Sequence, residues 1–443
     1  MEGLVALLFA IVLPGVDGRI DHLAFDAASG RVFVAALGNN TVEVIDSNAR
    51  KHLFSLTGFR EPQGISPVGP EVAVANGQGS GLQFIATGDG KSLRTSRLGD
   101  DTDNVRYDAA AHIVYAGYGD GAIAAINPQN GQVLGQAKLA GHPESFQLEP
   151  SGSRIFVNVP SASQIAVIDR SSMQVTATWP VKEASANYPM ALDAAGHRLF
   201  VGCRRPAKLL VFETESGRQV ASVDIVGDTD DLFFDERSQR VFVIGGQGYL
   251  DVIDVRPGTT PARLERVPTA VGARTGLYVP AQNRIYVAVP HRGAQRAEVR
   301  AYQVNGGARP TVLFMCPHGA AKSVLASAYF IKVAKERGLN VRVLSAGTEP
   351  DPAVSVAVAK RITEQGLPVP IDKPRRVADE EFRNADVVIS IGCDLKGLPE
   401  PRGVVQQWDE VPSPSENLDA TDAAIRKRVQ ALIETLSRAK DRK

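Results

Sequence analysis

One short pattern recurs seven times between residues 31 and 288: RVFVA at 31, EVAVA at 71, HIVYA at 112, RIFVN at 154, RLFVG at 198, RVFVI at 240 and RIYVA at 284. Its second residues, Val32, Val72, Ile113, Ile155, Leu199, Val241 and Ile285, are spaced by 40 to 44 residues. A fixed period of this length marks a repeat architecture, in which each unit buries its apolar faces only against its neighbours. After a polar turn each motif is followed by a second apolar run, such as TVEVID at 41, QIAVID at 164 or YLDVID at 249. A third, such as HLFSL at 52 or QVTATW at 174, closes most units. The runs are short, rich in Val, Ile and Phe, and bounded by turn residues, so they read as strands. Three or four strands per unit, seven times over, predict a seven-bladed all-β propeller.

The repeats resemble the YVTN-type β-propeller family, most closely in AALGNNTVEVID at 35–46, over about two-thirds of the chain. The resemblance implies the fold for residues 1–305 and leaves the role open, because propellers host unrelated functions. The last repeat ends near Val304 without an outer strand of its own. The apolar run LVALLFAIVL at 4–13 is too short to span a bilayer. It is expected to supply the missing strand and close the ring. The alternative is part of an export signal, although Met1-Glu2-Gly3 offers an acid where such a signal carries basic residues.

The innermost strand of each unit begins with polar residues: Asp21-His22, Gln63, Asp103, Glu144, Asn187, Asp230 and Arg274. In a propeller these ring the mouth of the central channel, where Asp21, His22, Asp103, Glu144 and Asp230 would bind a cation or a polar ligand. A protein partner recruited by the propeller is the other expectation. Lysine plus arginine equals aspartate plus glutamate, 49 each, which gives no electrostatic case for nucleic acid or an anionic membrane surface. Three cysteines, at 203, 316 and 393, cannot build a disulfide framework and suit a reducing compartment, the cytoplasm.

Residues 306–310 have linker composition, and beyond them the pattern changes. TVLFMC at 311–316 is a continuous apolar run, as expected of a strand buried on both faces of a parallel sheet. It is followed by a loop, a helical stretch from 323, a strand VRVLSAG, a helix at about 354–366, strands DVVISIG and VVQQW, and a helix from about 419 to 438. This alternation predicts a doubly wound α/β domain over 311–443, with ligands bound at the carboxyl ends of its strands.

Cys316 stands at such an end, directly before a helix. The loop Pro317, His318, Gly319, Ala320, Ala321 and the helix start at Lys322 and Ser323 offer amides and positive potential to an oxyanion. The same field stabilises a thiolate and makes Cys316 a nucleophile. The arrangement resembles the low-molecular-weight protein tyrosine phosphatase superfamily, which includes thiol-dependent arsenate reductases. It does so in the Cys-x5-basic-Ser loop, in SAGTEP at 345–350, in ISIGC at 389–393 and in QWDEVP at 407–412. The resemblance implies Cys316 as nucleophile, Ser345 and the loop as substrate contacts, and Asp409 as general acid and base, with Glu410 as substitute. It also implies Cys393 as a resolving thiol in the reductase case, and a phosphate or other oxyanion as substrate.

The sequence departs from that pattern at Lys322, where the family carries arginine, and at Val411, where proline follows the acid. Lysine is a point charge and lacks the two-pronged grip of a guanidinium. Three readings stand: a Cys-dependent phosphatase with the propeller as recruiting module, an arsenate reductase-like enzyme using Cys316 and Cys393, and an oxyanion- or phosphopeptide-binding protein. None calls for a metal or cofactor. Each requires a reduced thiol, and the second an external thiol reductant.

Overall fold

The computed structural model describes residues 3–441, apart from Ser80, Ser151, 306–309, Gly338, Asn340 and Arg402. The chain divides into two units, 1–307 and 308–443. The linker expected at 306–310 falls almost wholly outside the described residues.

The first unit is a seven-bladed propeller of four-stranded antiparallel sheets. Each recurring motif forms the second strand of its blade, as Arg31–Ala36 and Arg240–Gly245 do. The seventh blade is composite. Val5–Val12 pairs antiparallel with Glu298–Val304 and forms its outermost strand, so both ends of the unit share one sheet. Seven apolar clusters hold the ring, each drawn from two adjacent blades, such as Val32 and Val34 with Tyr286 and Val299 across the composite junction. A blade therefore has no core of its own.

The arginine that opens several motifs has a physical reason. Arg154 pairs with Glu149 of its own blade and donates to the carbonyl of Thr214 on the next blade at 2.7 Å. Arg198 repeats the device with Asp193 and the carbonyl of Val255. Arg31 reaches the carbonyl of Thr87 in the same way. Each such arginine fastens one blade to its neighbour as well as opening a strand.

The second unit is an α/β domain. Strand β1 (Thr311–Cys316) is followed by α1 (Lys322–Glu336), β2 (Arg342–Gly347), α2 (Val356–Glu364), α3 (Asp379–Asn384), β3 (Val387–Ser390), β4 (Val404–Gln407) and α4 (Leu418–Asp441). The strands are all parallel in the order β2-β1-β3-β4, with β1 inside. Val312 and Phe314 pack with α1, α2 and α4 through Phe330, Ile362 and Ile425, while Leu313 and Met315 pack on the other face with Phe382. That double burial accounts for the unbroken apolar run. The short helix α3 carries no sequence periodicity that would have announced it. Among the described residues no helix is long and apolar enough to cross a membrane.

Candidate active site

Cys316 ends β1 and is buried, with the loop 317–321 climbing from it into α1. The loop's carbonyls are tied outward. Those of Pro317, His318 and Ala320 accept from the amides of Glu349 (2.8 Å), Asp351 (3.0 Å) and Ser355 (3.0 Å). In a trans peptide the N–H points opposite the preceding carbonyl, so the amides of His318 and Ala321 are turned the other way. These two, with those of Ala320 and Lys322, donate to no acceptor among the described residues. Ala321 begins α1 without a side-chain cap, which leaves its first turn open to an anion.

Two glycines allow the loop this path. Gly319 has φ +58°, and a Cβ there would lie 2.8 Å from the amide nitrogen of Gly347. A Cβ on Gly347 would in turn lie 2.6 Å from the nitrogen of Gly319. The SAG triplet therefore ends in glycine because the loop crosses β2 in van der Waals contact. Ser345 of that triplet is buried in β2 opposite Phe314, two residues short of the loop, and its hydroxyl has no partner among the described residues.

Cys316 Sγ lies 3.2 Å from the hydroxyl of Ser323 and 3.5 Å from its amide, which donates to the sulfur. A thiolate can only accept, so in the reactive form the hydroxyl donates as well. Lys322 is placed differently from what a clamp would require: its ammonium donates to the carbonyl of Val411 at 3.0 Å. A Cβ built on Gly392 would lie 3.7 Å from that nitrogen, so the charge stands beside the Gly392-Cys393 turn. His318 is exposed, with Nδ1 3.3 Å from the carboxylate of Asp351.

Cys393 is half-buried just beyond β3, and its amide donates to Ser390 Oγ at 3.4 Å. Burial, reinforced by the charge of Cys316, pushes its thiol up to about 12, while Ser390, the Ile391 backbone and Lys322 act against this. The two sulfurs thus lie within electrostatic reach of each other. Asp409 is exposed in the turn after the buried Trp408 and makes no hydrogen bond or ion pair among the described residues. Glu410 is held by Arg428. Val411 is buried, and its bond to Lys322 ties this turn to the start of α1. Cys203, in the propeller, is fully buried, and burial alone pushes it up to about 12.

The propeller residues singled out at the channel mouth gather around His22. Its Nδ1 is 3.3 Å from Asp231, and its Nε2 is 3.7 Å from both Asp21 and Asp103. The attraction of these three carboxylates outweighs burial and raises His22 well above the ordinary histidine range. Asp230 pairs with Arg204, and Glu144 acts electrostatically on the same group. Asn187 and Gln63 are occupied elsewhere, in bonds to Asn158 and to Asp101. Sequence reasoning missed Asp231, Arg106 and Arg204. The Asp230-Asp231 doublet, at a bulge that lets both acids reach the mouth, was the available signal for the first.

Comparison with known proteins bears on each unit. Residues 311–402 match the family model described as low molecular weight phosphotyrosine protein phosphatase. A curated protein of Halobacterium salinarum, named "Putative arsenate reductase", is 28% identical over 97 residues, which cover 21% of this chain and 68% of that protein. A chain in a crystal structure of the mitotic checkpoint complex superposes with a TM-score of 0.58 at 13% identity, covering 68% of this chain and 92% of that one. A chain of Kuenenia stuttgartiensis hydrazine synthase gives 0.56 at 15%, covering 62% and 95%. These two likenesses concern the fold alone.

Proposed function

We propose that the C-terminal unit, a domain of the low molecular weight phosphotyrosine protein phosphatase family, reduces an arsenate-type oxyanion through Cys316 and Cys393. The observation that carries the reading is a second thiol within the electrostatic reach of a nucleophile seated among free amides. The name of the halobacterial relative points the same way.

The chemistry follows from the placement. A tetrahedral oxyanion accepts from the amides of His318, Ala320, Ala321 and Lys322. The Cys316 thiolate forms an S–As bond, and one arsenate oxygen leaves, protonated, as water. Cys393 then loses its proton to solvent and attacks the sulfur of Cys316. An S–S bond forms, the S–As bond breaks, and its electron pair stays on arsenic, which leaves as arsenite. Two thiols are oxidised to a disulfide as arsenic goes from the +5 to the +3 state. An external dithiol restores the pair. Forming the adduct consumes the Cys316 charge, one of the two effects holding Cys393 protonated, while Lys322 remains to favour its thiolate.

Phosphoester hydrolysis is the second reading, favoured by one contact. The Lys322–Val411 bond tethers the Asp409 turn to the helix that opens at the loop, where an acid could serve a leaving group. Against it, the ammonium of Lys322 is engaged and offers no two-pronged grip on the transferring group.

Single turnover separates the two. Reduced full-length protein treated with arsenate in the absence of reductant should yield a Cys316–Cys393 disulfide in peptide mapping, with arsenite released in equal amount. Cys393→Ser should abolish the arsenite. No disulfide, or undiminished arsenite from the Cys393 variant, sinks the reductase reading. Turnover of p-nitrophenyl phosphate that is lost in both Cys316→Ser and Asp409→Asn would establish the phosphatase instead.

A further inference from the structure

The channel of the N-terminal unit contains a cavity of about 550 Å³ bounded by the inner strands of all seven blades. That is the size of a small-molecule site. Most of its wall is apolar, with Met190, Leu232 and Leu277 among the contributors, and His22, Arg106 and Asp231 stand on it as charged groups. The mouth cluster shares His22 and Asp231 with this wall, and Asp103 and Glu144 stand two residues ahead of the inner strands that begin at Val105 and Phe146.

Charge at the mouth does not balance. Six carboxyl groups, Asp21, Asp103, Glu144, Asp228, Asp230 and Asp231, face five cations, Arg19, His22, Arg106, Arg204 and Arg274. Arg19 covers Asp21 from the exposed side at 3.2 Å. Arg274 is bound to Asp228 at 3.0 Å and stands 3.8 Å from Asp230. His142 faces Asp101 at 3.4 Å. Arg106 donates only to neutral oxygens, of Val105, Asn104 and Ser145.

The deficit falls on two acids of neighbouring blades. Asp103 is 7% exposed, and its Oδ1, the oxygen turned toward His22, is buried without a hydrogen-bond partner. The Glu144 carboxyl has no hydrogen bond or ion pair among the described residues. Burial and mutual repulsion hold Asp103 up to about 6, Asp230 to about 7 and Glu144 to about 9.

We propose that this channel binds a small organic monocation, its ammonium or guanidinium between Asp103 and Glu144 and its apolar body in the cavity. Among the described residues no three His, Cys, Asp or Glu side chains take up an arrangement that could hold a metal ion. The apolar wall calls for a hydrocarbon body, and Arg106 and His22 on that wall exclude a second positive charge.

Calorimetry on the full chain at pH 7, with hexylammonium as the probe, tests this. One saturable site is expected. Its heat should vary with the ionisation enthalpy of the buffer, because the incoming cation displaces protons from Glu144 and Asp230. Hexanol and hexanoate should bind at least tenfold more weakly, and Asp103→Asn and Glu144→Gln should each lose at least tenfold. Glu144→Gln removes no hydrogen bond, so it should fold as the parent does. Hexanol binding as tightly as the amine, no proton release, or affinity unchanged in both variants would each overturn the proposal. Competition by calcium ion at the same site would overturn its organic character.

Discussion

Ser323 is the residue through which the loop's chemistry can be read most directly. Its hydroxyl and amide are the hydrogen-bond partners of the Cys316 sulfur among the described residues, at 3.2 and 3.5 Å, and Ser323 itself is fully buried. Replacing it with alanine deletes the hydroxyl and leaves the amide in place. A hydrogen bond to a charged group contributes about 1.5–3 kcal/mol, and about 1.4 kcal/mol is a factor of ten. Ser323→Ala should therefore slow alkylation of Cys316 about 10- to 150-fold. Water cannot readily replace the donor in so closed a position, so the loss should approach the upper part of that range.

The assay is pseudo-first-order alkylation by iodoacetamide at pH 6, with mass spectrometry to confirm Cys316 as the labelled site. Ser327→Ala is the control. It removes a hydroxyl one turn further along α1, where it bonds only the carbonyl of Ser323 at 2.7 Å, and should leave the rate within twofold. Alkylation of Ser323→Ala at the parent rate would refute the reasoning. The sulfur would then owe its reactivity to the loop amides and helix start alone. An equal fall in both variants would show that the helix, and not the hydroxyl, had been disturbed.

Three further outcomes follow from the same structure. Cys203 and Cys393 are both pushed up to about 12, so a disulfide reagent at pH 8 should count one fast thiol in the native chain and three in urea; two fast thiols would contradict the environment assigned to Cys393. Asp103, Asp230 and Glu144 hold protons in the folded propeller that the unfolded chain releases near pH 4. Their contribution is complete below that pH and is lost as pH rises through about 6, 7 and 9, and His22, also raised, adds loss of the same sign. Urea unfolding followed at Trp179, in the propeller, should have a higher midpoint at pH 5 than at pH 8.5, and Glu144→Gln should flatten that slope; a rising midpoint would reverse the assignment. Arg198→Met strands the buried carboxylate of Asp193 and removes the link to Val255, and should cost the propeller about 3 kcal/mol in the same experiment, against no change for Arg218→Met, whose pair with Glu213 is exposed.

How much of this was legible in the sequence depends on how far apart the partners lie. The propeller declares itself because each blade repeats the same local alternation, and the inter-blade cores then follow from stacking. The Cys316 loop is equally local: strand, turn and helix start occupy consecutive residues, and the glycine that the crossing demands stands in plain view at 319. Lys322 shows the limit. At six residues beyond the cysteine it reads as a cation for the bound anion, yet its ammonium is taken by a carbonyl 89 residues later, beside the turn that carries Cys393. The channel mouth is similar. His22 meets Asp231 across 209 residues, and no periodicity marks which acid of which blade will face it. In both places the sequence places a charge at the correct edge of the fold, and a distant segment decides what it is used for. The consequence for chemistry is specific: with Lys322 serving the Cys393 side of the site, the oxyanion is left to backbone amides, which hold a tetrahedral ion without distinguishing phosphorus from arsenic. For the arsenate reduction proposed above, discrimination then rests on Cys393 reaching the adduct, and in that proposal Cys393, rather than the loop, decides the reaction.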